Sequence, residues 1–226
     1  MDKVKESVMA IWRSLDAAAL TDGELIQIIC DNDVVRLDAW RVFAERDLPS
    51  SRQFVVLQHC PDLRPECWQR MQEQPIENRV LVDVMRFIPE LQAEAWELFQ
   101  ANDPSTDDLL CLVSDVPVLA EKAWRFLDVE QVSDKRLRGL VISSAACRSF
   151  AWEALKARPV TVDFLLQLVL GVPAVQSEVW QAILVRNPTA SELRMIASGV
   201  PTLRDEAMSL FNQTHQGKVA MLLAAG

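Results

Sequence analysis

Residues 105–132 read STDDLLCLVSDVPVLAEKAWRFLDVEQV, and they contain one copy of the unit that decides the fold. The tryptophan in this stretch, Trp124, belongs to a series at positions 12, 40, 68, 96, 124, 152 and 180. The spacing is the same throughout, twenty-eight positions from each tryptophan to the next, and Met208 occupies the following slot. A fixed period of this size marks a repeat architecture in which one supersecondary unit is copied. The spacing predicts about eight copies.

Within a unit, two helices are legible. Before Trp40 stand Leu25, Ile28 and Ile29, whose spacing gives one helical face. The slot of Ile28 is held in later units by Val56, Val84, Leu112, Leu140, Leu168 and Ile196. This first helix, A, opens on cap signals. Thr21 with Glu24, Ser105 with Asp108 and Thr189 with Glu192 set a hydroxyl three residues before a carboxylate, while Ser133 and Thr161 hold the cap slot without the acid. Upstream, Pro49, Pro75, Pro104, Pro159 and Pro188 end the preceding helix.

A second proline, at 61, 89, 117, 173 and 201, opens helix B in a first-turn position where its missing N–H costs nothing. Gly171 and Gly199 precede two of these and read as helix-ending glycines. Helix B's inward stripe has three slots. The first holds Leu63, Leu91, Leu119, Val175 and Leu203. A small residue stands directly before the tryptophan (Ala39, Cys67, Ala95, Ala123, Ala151, Ala207), and Phe43, Met71, Phe99, Leu127, Leu155, Ile183 and Phe211 complete the stripe.

Two such short helices cannot bury their stripes alone, so the units must stack. The reading is a single α-solenoid domain over 1–226: an N-terminal half-repeat at 1–20, seven repeats at 21–213 and a C-terminal half-repeat at 214–226. In Leu109-Leu110, Leu112, Val116-Pro117 and Ala123-Trp124 the pattern resembles the HEAT-like family of αα solenoids and the bacterial leucine-rich repeat variant. The resemblance spans nearly the whole chain and implies an all-α, right-handed α-α superhelix of about eight helical hairpins, each one period long. The period is short for HEAT, and the cysteine cluster linked to one leucine-rich repeat variant protein is absent.

Half of the 226 residues are hydrophobic, which suits a continuous core and opposes disorder. The net charge of −9 opposes general attraction to phosphate backbones or anionic lipid. Residues 1–7 precede no long apolar run, so neither a signal peptide nor a membrane span is expected. Cys30, Cys60, Cys67, Cys111 and Cys147 fall at different phases of the repeat, unlike a disulfide ladder, and a cytoplasmic location is expected.

Candidate chemistry is sparse. His59, Cys60 and Cys67 are too few for a metal site and lack a third group for a Cys–His nucleophile, and His215 reads as solvent-facing. No metal, cofactor or catalytic residue is expected. The tryptophans read either as plugs between successive B helices or as a stacking platform for bases or sugars, with Arg36, Arg64 and Arg148 placed to lie over indole rings. Two residues before the tryptophan come Asp38, Glu66, Glu94, Glu178 and Glu206, interrupted by Lys122 and Phe150. With Asp62, Glu73, Glu90 and Glu97 they form either a solvated face or a strip that docks a basic protein segment. Arg79, Arg86, Lys135, Arg136 and Arg138 make helix A's outward slots locally basic, too sparsely for a nucleic-acid stripe.

The unit at 133–159 breaks its own rules. Ala145 replaces the proline, Cys147 the leucine and Phe150 the acid. Rule-breaking of this kind marks either function or drift. The expected function is a non-enzymatic protein–protein interaction scaffold. Its candidate partner-binding residues are Asp62, Glu66, Glu90, Glu94, Glu97, Arg125, Arg148 and the apolar anchor Phe150. Head-to-tail self-assembly and, less favoured by charge, nucleic-acid binding are the alternatives.

Overall fold

The structure is a computed structural model that describes residues 2–224. It is all-α, 78% helical, with no strand among the described residues. The sixteen helices are α1 (Asp2–Ser14), α2 (Asp22–Asp31), α3 (Arg36–Ala44), α4 (Ser50–His59), α5 (Arg64–Met71), α6 (Asn78–Phe87), α7 (Gln92–Ala101), α8 (Thr106–Asp115), α9 (Ala120–Trp124), α10 (Asp134–Ser143), α11 (Arg148–Lys156), α12 (Val162–Gly171), α13 (Gln176–Leu184), α14 (Ala190–Gly199), α15 (Arg204–Gln213) and α16 (His215–Ala224). The last two residues of the expected C-terminal half-repeat, 225 and 226, lie outside the described residues. The chain divides into two compact units, 1–116 and 117–226.

Consecutive helices pair as hairpins: α2 with α3, α4 with α5 and α6 with α7 in the first unit, and α10 with α11, α12 with α13 and α14 with α15 in the second. The first helix of each hairpin also packs on the first helix of the next, as α2 on α4, α4 on α6, α6 on α8 and α12 on α14. Most of the slots the period names are buried, although Leu91, Leu119 and Leu203 in helix B's first slot and Ile28 in helix A are only half-buried. Ala39, Cys67, Ala95, Ala123, Ala151 and Ala207 are fully buried, and a larger Val179 holds that slot in α13. The expected caps form. Thr21, Ser105 and Thr189 close capping boxes, and Ser133 and Thr161 accept a single backbone N–H. At Asp108, burial works against the charge. Hydrogen bonds from the Ser105 side chain, Asn78 and the Ser105 backbone together outweigh it and hold the carboxyl below its ordinary pKa.

Helix A ends differently from the glycine reading. Among the described residues no glycine has a positive φ. Gly171 and Gly199 are the last residues of α12 and α14, and extended Val172 and Val200 cap them. A methyl group at Gly199 would meet only the tip of the exposed Leu170 side chain, at 2.4 Å, which a rotation relieves, and one at Gly171 would meet nothing within 4 Å. The second proline then opens a short 3-10 turn that leads into helix B, as at Pro61, Pro89, Pro173 and Pro201.

A clasp closes several hairpins. The residue six past the tryptophan donates to a carbonyl of the segment just ahead of helix A, at one constant offset. Arg46 reaches Leu20 O at 2.7 Å, Asn102 reaches Ile76 O at 2.9 Å, Arg158 reaches Val132 O at 2.7 Å, and Arg186 reaches Val160 O. The hairpin of Trp68 departs from this rule. Gln74 turns to Asp47 instead, and Leu48 O is served by Gln53, a glutamine buried in the slot that Leu25, Leu81 and Leu109 fill elsewhere. Its Oε1 is buried without a hydrogen-bond partner.

This exception yields a stability test. Gln53→Leu combined with Gln74→Arg restores both the apolar slot and the clasp, and should stabilise the protein by about 1–2 kcal/mol in urea unfolding. Gln53→Leu alone strands the Leu48 carbonyl and should gain less. A double variant no more stable than the single one would show that the clasp contributes nothing.

Candidate functional site

The outward row of the B helices was the candidate binding strip, and the structure first shows what its side chains do within the protein. Trp40, Trp68, Trp96, Trp152 and Trp180 are each at most 4% exposed, so these indoles offer no stacking platform. A buried indole N–H needs an acceptor. Trp40 Nε1 donates to Glu66 at 3.1 Å, Trp68 Nε1 to Glu94 at 2.8 Å and Trp152 Nε1 to Glu178 at 2.8 Å. Each acceptor belongs to the next hairpin and stands at the same offset from its tryptophan. Three of the acids read as an outward row are therefore the acceptors of this rung.

Phe150 follows from the same geometry. It holds the acceptor's slot relative to Trp124, where a carboxylate would take the N–H, and instead stacks on that indole with centroids 5.9 Å apart and planes inclined by 24°. Phe150 is half-buried rather than an exposed anchor. Trp124 is only half-buried as well, so its N–H is less in need of a protein acceptor. At Trp180 the rung is not made. Its Nε1 is buried without a partner, while Glu206, in the acceptor's slot, is exposed.

A second rung runs parallel to the first. Four residues before the tryptophan slot, a side chain donates to the carbonyl seven residues back, near the end of helix A. Arg36 reaches Ile29 O at 2.8 Å, Arg64 reaches Leu57 O at 3.1 Å, Gln92 reaches Met85 O at 3.0 Å, Arg148 reaches Val141 O at 2.8 Å, and Gln176 reaches Val169 O at 2.8 Å. These bonds satisfy carbonyls that a helix end leaves open. They correct the expectation that Arg36, Arg64 and Arg148 cover indole rings. In two of the arginines another nitrogen reaches forward to the next hairpin: Arg36 pairs with Asp62 and Arg64 with Glu90.

Of the eight candidates, Asp62, Glu66, Glu90 and Glu94 are thus held by the preceding hairpin. Arg148 is spent on carbonyls, Arg125 is exposed and pairs with Glu121, and Phe150 covers Trp124. Glu97 alone is exposed and makes no hydrogen bond or ion pair. The first five lie in unit 1 and the last three in unit 2. The irregular turn of the α10–α11 hairpin also has a local reason. Ser144 caps α10 and accepts from the Cys147 thiol at 2.9 Å, and Asn32 plays a like part after α2 by accepting from Val34 N. Neither of these hairpins has the second proline, and each has a polar cap in its place.

Three of helix A's basic residues are similarly engaged. Arg79 pairs with Asp83 and Asp115, Arg86 lies over Phe87, and Arg138 lies over Phe164. His59 is exposed while Cys60 and Cys67 are buried. The side chain of His215 lies outside the described residues. Among the described residues no three His, Cys, Asp or Glu side chains group to hold a metal ion. No described helix is long and apolar enough to cross a membrane, although α12 and α13, bent by 114° at Val172, pass that test of composition together.

Charge is unevenly shared between the two units. Residues 1–116 carry 22 acidic and 11 basic side chains, against 10 and 12 in residues 117–226. The whole net charge of −9 therefore comes from the first unit. No protein-family model, no curated protein and no solved structure matches the chain.

The indole rung predicts an asymmetry between two substitutions at one position. Glu94→Ala leaves the Trp68 N–H without its acceptor and should destabilise by about 1 kcal/mol, whereas Glu94→Gln keeps an acceptor oxygen and should cost a few tenths. Equal midpoints for the two variants in chemical denaturation would remove the rung from the account.

Proposed function

We propose that this protein is a non-enzymatic interaction scaffold, an αα solenoid of one-period hairpins coiled as a right-handed superhelix, that docks a basic protein segment through the acidic face of its first unit. The observation that carries this reading is the confinement of the net negative charge to residues 1–116. Long-range attraction of this kind speeds encounter with a basic partner and disfavours acidic ones. Side chains tied by indole and guanidinium rungs lose little freedom on docking, which lowers the cost of binding. A cytoplasmic setting fits the five free thiols.

Glu66 and Glu94, the obvious residues to reverse, are poor tests because reversal also breaks the rung. Glu97 and Glu45 are exposed and make no ion pair, so they report on the surface alone. With a labelled Lys/Arg-rich peptide as probe, Glu45→Lys with Glu97→Lys should weaken binding by about tenfold at low salt without moving the thermal midpoint. Unchanged affinity would overturn the acidic strip.

A second reading, self-assembly, is favoured by α1. Val4 and Ile11, on one side of the helix two turns apart, are 70% and 59% exposed, and Leu15 just past its end is 45% exposed. On this reading the sedimentation coefficient rises with protein concentration, and Val4→Glu with Ile11→Glu abolishes the rise. A concentration-independent monomer ends it.

A further inference from the structure

Two thiols of unit 1 meet at a place the repeat does not require. Cys30 is the penultimate residue of α2, and Cys60 caps α4 one hairpin later. Their sulfurs are 4.0 Å apart. Cys60 is fully buried in a slot that Ile88, Val116, Val172 and Val200 fill elsewhere, so an aliphatic side chain suffices there. Cys30 is only half-buried and holds a slot taken in other hairpins by Gln58, Arg86, Ser114, Ile142, Leu170 and Ser198. One sulfur is thus open to solution, and the second waits behind it.

We propose that Cys30 and Cys60 form a thiol–disulfide exchange site that takes small neutral or cationic disulfides and closes to a Cys30–Cys60 bond between α2 and α4. In the first step the Cys30 thiolate attacks a sulfur of RSSR. A Cys30–S–S–R bond forms, the S–S bond of the reagent breaks, and RS⁻ leaves to take up a proton. Cys60 then gives its proton to solvent and attacks Sγ of Cys30. The bond to R breaks and a second RS⁻ departs and is protonated. Two electrons pass from the protein thiols to the reagent, and one RSSR becomes two RSH. Closure draws the sulfurs from 4.0 Å to a bond of about 2.05 Å, a movement that the half-exposed Cys30 at the end of its helix can supply.

The charge around the pair sets the class of reagent. Asp31 and Asp62 act on the pair, and the guanidinium beside it, Arg36, is already paired with Asp33 and Asp62. An anionic disulfide is repelled there. Burial pushes the Cys60 thiol up to about 12, with the neighbouring Cys30 adding to the rise, and burial raises Cys30 as well. Exchange is therefore slow at neutral pH and quickens as pH rises and thiolate forms. Cys67, fully buried with its thiol donating to Gln53 O at 3.4 Å, is the rival partner for Cys60.

The test treats the reduced full-length chain with cystamine at about pH 8 and follows intact mass, remaining alkylatable thiols and the cross-linked peptide. The expected product has lost two hydrogens and two of its five thiols, and it maps to residues 30 and 60. Cys67→Ala should behave as wild type. Cys60→Val, the residue found in that slot at 116, 172 and 200, should stop at the Cys30 mixed disulfide. Glutathione disulfide, which is anionic, should react at least about fivefold more slowly. A stable Cys30 mixed disulfide in the wild type, a Cys60–Cys67 bond, or faster reaction with the anionic reagent would overturn the proposal.

Discussion

The tryptophan at the centre of every helical pair from α2–α3 to α12–α13 is its largest apolar group and also a hydrogen-bond donor, and at Trp40, Trp68 and Trp152 the packing answers to both properties. A helix of nine or ten residues cannot stand alone in water. Each hairpin has to cover its indole with the following one, and covering the ring removes its N–H from solvent. The covering helix therefore has to bring an acceptor, which Glu66, Glu94 and Glu178 do at a constant offset along the chain. Register between hairpins follows from a polar atom that tolerates little displacement, whereas apolar contact alone would allow sliding.

This demand reassigns much of the acidic row from surface to structure. A carboxylate that accepts an indole N–H, or that closes on an arginine already anchored to a carbonyl, is not free to meet a partner at full strength. The charge that acts at long range is nonetheless undiminished, because a hydrogen bond to a neutral donor does not neutralise a carboxylate. The first unit keeps its field while its side chains are immobilised, a combination suited to steering a basic partner and losing little entropy when it arrives.

Departures from the pattern have local physical reasons. Phe150 covers Trp124 where a carboxylate would stand, and the ring it covers is only half-buried. Gln53 occupies a leucine slot because Gln74 leaves the Leu48 carbonyl without its usual donor. In the turns without the second proline, Asn32 and Ser144 provide the polar cap that organises the chain in its place.

By itself the sequence determined the helical pairs, their caps, the proline-led turns and the buried slots, because these depend on spacing along one chain segment and on backbone rules that act within a few residues. It also contained the indole–carboxylate offset, visible only when positions are compared across two units instead of within one. The tertiary structure alone decided which exposed-looking side chains are spent on neighbours: Arg36 and Arg64 on helix-end carbonyls, Glu66 and Glu94 on indoles, and Phe150 on Trp124. It alone brought Cys30 to Cys60, which sit at different phases of the repeat. A side chain's direction is set by what the adjoining hairpin leaves unsatisfied, and no periodicity in the chain records that.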